Sequence, residues 1–118
     1  YYFEVQVLDV GQNSSLAVGV VPADGFHPGW KTKGMFFNGN VTNGSALVTS
    51  RFGRMGPWLR GHTVGVYVIR KGGTVEVIFY ELGRCLGPAF RVAADPATVF
   101  SPCLHVSGSA TVVFQAPE

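Results

Sequence analysis

No stretch of this chain longer than Tyr1–Val10 is free of both glycine and proline. The 16 Gly and seven Pro are spread from end to end rather than gathered in one tract. A helix of ordinary length would have to carry one or more of them in its interior, where Pro removes a hydrogen bond and Gly loosens the backbone. The segments between them are short and rich in Val, Phe and Tyr, and none shows a sustained period of 3.6. Strands joined by tight turns are the architecture this pattern permits.

Tyr2-Phe3-Glu4-Val5-Gln6-Val7-Leu8 alternates, so Phe3, Val5 and Val7 share one face, opposite Glu4 and Gln6. A turn-rich stretch, Asp9 to Ser15, follows. Leu16 to Val21 is continuously apolar and reads as a strand buried on both faces, ended by Pro22. Ala23 to Trp30 has turn chemistry nearly throughout. Met35–Phe37 and Ser45–Thr49 are short strand candidates separated by Asn38-Gly39 and Asn43-Gly44, the pair favoured in tight hairpin turns. Arg51 to Arg60 reads as a loop. Thr63–Ile69 and Thr74–Tyr80 face each other across Arg70-Lys71-Gly72-Gly73 as the clearest hairpin. Val99–Val106 and Thr111–Gln115 close the domain through Ser107-Gly108-Ser109. Arg91 to Ala97 is the one stretch that fits a helical turn. Eight to ten strands with turns every eight to twelve residues describe an all-β fold, an antiparallel sandwich or barrel.

With 118 residues there is room for one core, so residues 1–118 are read as a single domain. Hydrophobic residues make up 47% and charged ones 14%, which excludes a disordered chain. The net charge of +2 is carried by scattered Lys and Arg, so no strong electrostatic footprint for nucleic acid results. No apolar run is long enough for a membrane helix, and no membrane partner is expected. Tyr1 to Val5 lacks a basic leader and a cleavage site and reads as the middle of a strand, so the chain is expected to be part of a longer protein. Cys85 and Cys103 are too few for a disulfide framework and sit among apolar residues. Sequons at Asn13, Asn40 and Asn43 speak for secretion, but an intracellular location is the better fit to the missing staple.

Catalytic templates fail together. His27, His62 and His105 lie far apart with no second ligand type at metal spacing, so no metal is expected. Asp9, Asp24, Glu76, Glu81 and Asp95 form no acid–base pair by spacing. Ser101 near His105 is no nucleophile elbow, and no glycine-rich loop opens a helix that would hold phosphate. The chain is expected not to be an enzyme and to need no cofactor.

Tyr2-Phe3-Glu4-Val5, Ala17-Val18-Gly19-Val20-Val21 and Pro28-Gly29-Trp30, in that order, resemble the opening of SPRY domains, the core of the B30.2 family. Gly61-His62-Thr63-Val64-Gly65-Val66 is similar to the family's Gly-Asp-x-Ile-Gly-Val strand, with His62 where an acid is usual. Gly73 to Phe79 with Leu86-Gly87-Pro88-Ala89-Phe90 looks like the hairpin that ends in Leu-Gly-x-Ala-Phe, with Glu81-Leu82-Gly83 in place of its usual Asn-Gly. Ser101-Pro102-Cys103-Leu104 and Val112-Val113-Phe114 resemble the two closing strands.

The resemblance implies two bent antiparallel sheets packed as a concanavalin-like sandwich. It also implies a non-catalytic protein-interaction module, an adaptor or scaffold that recognises a partner protein or peptide through loops at one end. Carried over by position, Asp24, Gly25, Phe26 and His27 form one wall of that surface, and Val106, Ser107 and Gly108 another. The long loop bearing Arg51, Phe52, Arg54, Met55 and Trp58 is expected near the same end, with the Trp and Arg that binding hot spots favour. Phe26 is read as exposed and Trp30 as core. Two rival classes stand beside this one. Arg51, Arg54, Arg60 and Arg70, interleaved with Phe52 and Trp58, would suit an RNA-associated domain. The sequons and the sandwich would suit a lectin-like secreted adhesion domain, which a Cys85–Cys103 bond would favour.

Overall fold

A computed structural model describes residues 1–24, 34–38, 41–43, 47–49 and 61–116. Its ten strands are β1 (Tyr2–Val10), β2 (Ser15–Pro22), β3 (Met35–Phe37), β4 (Val41–Thr42), β5 (Leu47–Thr49), β6 (Thr63–Lys71), β7 (Thr74–Glu81), β8 (Arg84–Ala93), β9 (Phe100–Ser107) and β10 (Ala110–Gln115). They form two antiparallel sheets, ordered β10-β1-β6-β7-β8 and β5-β4-β3-β2-β9. The fold is an all-β sandwich, as the glycine and proline spacing requires.

Alternation decides which side chains meet between the sheets. Phe3, Val5 and Val7 on β1, Val64, Val66 and Val68 on β6, and Val75, Val77 and Phe79 on β7 are all buried. The second sheet answers with Leu16, Val18, Val20, Met35 and Phe37, and the Phe37 and Phe79 rings stack across the interlayer at 5.5 Å. β2 is buried on both faces, since Ala17 and Val21 form a second cluster with Phe36. Gly19 lies where β2 passes β3 so closely that any Cβ would run into the backbone of Met35.

Four local readings change. β1 continues through Val10, across a register shift between Val7 and Asp9, where a turn was expected. The bulge returns Val10 to the buried face, which no alternation pattern would reveal. β4 is a two-residue strand between the Asn-Gly pairs, too short to carry a period. Arg91 to Ala97 makes no helical turn: Arg91–Ala93 ends β8, and Asp95 closes a turn by accepting from the Ala97 amide at 2.8 Å. The last change is at β8, a strand whose centre, Gly87-Pro88, hides its character and coincides with two register shifts against β7.

Candidate functional site

The β2–β9 register fixes what lies at each end of the sandwich. Ser15 stands opposite Ser107 and Pro22 opposite Phe100. Seven residue steps of strand separate these pairs, roughly 23 Å. Asp24, which follows Pro22, therefore lies at one end, and Val106, Ser107 and Gly108 at the other. Asp24 therefore does not join Val106, Ser107 and Gly108, because antiparallel pairing places the exit of β2 beside the start of β9. Gly25, Phe26 and His27, like Arg51, Phe52, Arg54, Met55 and Trp58, lie outside the described residues, as does Trp30.

The end that carries Val106–Gly108 is held by a short hydrogen-bonded lattice between two turns. The Gly11 amide donates to the Ser109 carbonyl at 2.8 Å, the Ser14 amide to the Gly11 carbonyl at 3.0 Å, and the Ser109 amide to Ser14 Oγ at 2.9 Å. Asn13 (φ 58°) and Gly108 (φ 88°) supply the left-handed backbone these turns need. Val106 is 40% exposed, and Ser107 and Gly108 are exposed.

Gly61-His62 and the β7–β8 turn lie at the same end. β6 starts there, because the Gly61 amide donates to the Val7 carbonyl at 2.8 Å and the Val7 amide to the His62 carbonyl at 2.9 Å. Beside it is the β7–β8 turn, in which Leu82 (φ 54°) and Gly83 (φ 78°) both have positive φ. The usual Asn-Gly is replaced here by Leu-Gly, yet the backbone keeps the two left-handed residues of a tight hairpin. Leu82 is 60% exposed.

Beneath this turn lies a pair that spacing could not reveal. Glu81 occupies the inward position that follows Val75, Val77 and Phe79 and is buried, and His62 Nδ1 sits 3.1 Å from its Oε2. The histidine that replaces an expected acid thus faces an acid supplied by the neighbouring strand. Glu81 could have been singled out as the charged residue at an inward position of an otherwise apolar alternation.

At the opposite end lie Asp24, the Gly72–Gly73 hairpin turn and the Asp95–Thr98 turn. The Ala23 amide donates to the Val99 carbonyl at 2.8 Å there, and Arg70 stacks on Phe100 at 5.5 Å. Cys85 on β8 and Cys103 on β9 lie in different sheets as free thiols, so the bond that would favour a secreted adhesion domain is absent. Among the described residues no three His, Cys, Asp or Glu side chains converge on a metal position. No described helix is long and apolar enough to cross a membrane.

Between the free edges of β9 and β10 an apolar cavity of about 220 Å³ is lined by Phe3, Val5, Pro102, Cys103, Leu104 and Phe114.

Compared with known families, residues 1–118 match the model of the SPRY domain over their whole length. The chain belongs to the SPRY domain family. No curated protein matches it. SPRY domains are generally non-catalytic protein–protein interaction modules. The resemblance drawn from the strand motifs is thereby borne out.

Proposed function

We propose that this SPRY domain recognises a partner protein or peptide through the end of the sandwich that carries Val106, Ser107, Gly108 and Leu82, acting as an adaptor or scaffold and catalysing nothing. The observation that carries the reading is Leu82. A leucine in left-handed backbone is unfavourable, and one 60% exposed gains little from burial. A residue held against both preferences, in a turn that Asn or Gly would suit, points to a use outside the fold. The turns around it are braced by main-chain hydrogen bonds, so a partner would meet a preorganised surface.

We propose Arg51, Phe52, Arg54, Met55 and Trp58 as further contact residues; in sequence they precede Gly61, which stands at that end. Asp24, Gly25, Phe26 and His27 are proposed as a separate patch, since Asp24 lies at the far end. An intracellular location goes with the adaptor role.

The test is affinity capture by the 118-residue chain, run beside a variant of one end (Leu82→Lys with Ser107→Lys) and a variant of the other (Asp24→Lys with Lys71→Glu). Each is assayed with and without nuclease. A partner that survives nuclease and is lost with the first variant alone supports the proposal. Loss on nuclease treatment, with affinity falling steeply in salt, would transfer the assignment to nucleic acid.

A further inference from the structure

Core-facing side chains are wet along one side of the sandwich. On β9, Leu104 stands opposite Val18 and Val106 opposite Leu16, and both partners are buried in the core. On β10, Phe114 stands opposite buried Val5 and tilts against Phe3 at 5.8 Å. Residues opposite each other share a face, so Leu104, Val106 and Phe114 point inward. They are nevertheless 38%, 40% and 49% exposed, and Leu104 and Phe114 line the cavity of about 220 Å³.

β9 and β10 are the last strands of their sheets, and among the described residues nothing pairs with their outer edges. The sheet edges differ in how they are protected. β8 carries Arg84, Pro88, Arg91 and two register shifts, and β9 carries Pro102, all of which discourage pairing. β10, Ala-Thr-Val-Val-Phe-Gln, carries no proline, charge or bulge of its own.

We propose that this edge pairs with a second copy of the chain, β10 lying antiparallel to β10 across a twofold axis. The backbone is directed for it. Val7 donates its amide to the His62 carbonyl and accepts from the Gly61 amide, both on the β6 side, so Val112 opposite it must turn its own amide and carbonyl away from β1, toward the free edge. Phe114, two residues on, does the same. A twofold axis at Val113 sets Val112 against Phe114 of the second copy, with both strands' outward groups in register. Val113 then meets Val113, and Thr111 meets Gln115. Each inward pair is aromatic against β-branched, a favourable combination.

Charge also selects this partner. From Pro96 to Pro117 the chain contains no Lys, Arg, Asp or Glu, so self-pairing sets no like charges together, whereas pairing through β8 would oppose its arginines. The same axis lays the two open slots side by side. A six-residue ladder is smaller than the roughly 800 Å² per partner of a standard interface, so the dimer belongs to the weak class, with Kd about 10 to 100 µM.

Sedimentation equilibrium of the 118-residue chain tests this. The expected result is an average mass that rises toward twice the monomer mass as concentration passes through that range. Val113→Lys and Val113→Glu are each expected to weaken association at least about 10-fold, because like charges then face each other. Val113 is outward-facing and 41% exposed, so both variants fold. Mixing them restores association by placing Lys opposite Glu, which general damage to the fold would not do. A wild type that stays monomeric to about 1 mM, a Val113→Lys variant that associates like the wild type, or a mixture that fails to recover overturns the proposal.

Discussion

Replacing Leu82 by Asn should make the domain more stable and its proposed partner bind worse. Leu82 has φ 54° and is followed by Gly83 at φ 78°, so both residues of the β7–β8 turn are left-handed. Left-handed backbone costs an ordinary residue about 1 to 2 kcal/mol, and Asn tolerates it better than other non-glycine residues. Against that gain stands any packing lost, which is small because Leu82 is 60% exposed. The main-chain bond from the Leu82 amide to the Thr63 carbonyl at 2.9 Å is available to Asn as well. The net stabilisation is about 0.5 to 1 kcal/mol, or roughly 2 to 4 °C in Tm for a domain of this size. Scanning calorimetry reads the first effect, and captured partner per mole of domain reads the second. A lower Tm would refute the strain reasoning. A higher Tm with unchanged capture would leave the turn explained but remove Leu82 from the binding surface.

His62→Ala should lower stability by about 1 to 2 kcal/mol, since it takes a hydrogen-bond partner from the buried Glu81 carboxylate; chemical denaturation measures this. Gly19→Ala should cost about 3 kcal/mol or more, because its Cβ meets the Met35 backbone rather than a movable side chain, whereas Gly73→Ala, with open space around it, should be tolerated; parallel urea melts compare them. Burial, with nearby Glu4 in the case of Tyr2, raises the phenol pKa values of Tyr1 and Tyr2 above their ordinary value. A raised folded-state value means the folded chain holds those protons more tightly, so stability should be intact below about pH 10 and fall as pH rises further. Melting temperature against pH, with phenolate absorbance recorded alongside, checks the sign. Trp58→Ala should weaken capture and leave Tm within about 2 °C, as befits a contact residue rather than a core one.

The sandwich was legible because its signals are local. Alternation in Tyr2–Leu8 and Thr74–Tyr80 names the buried faces directly, and Gly72-Gly73 marks its own turn. Information was lost where one strand depends on another. Val10 is buried only because a bulge against β10 resets the alternation, and β4 exists only because β3 and β5 flank it. The candidate site suffered more, since its grouping depends on register. Asp24 and Ser107 look equivalent as loop residues, and only the pairing of Ser15 with Ser107 shows that a strand's length separates them. His62 and Glu81 are 19 residues apart in sequence and meet through the β6–β7 hairpin alone.

Hydrogen exchange of the chain with and without its captured partner tests the central claim most directly. Slowed exchange on binding at residues 11–14, 61–63, 82–84 and 106–109, with 23–24, 70–74 and 95–99 unchanged, is the predicted footprint. Protection confined to the second set, or spread along β9 and β10 without the turns, would contradict recognition through the Leu82 end of the sandwich.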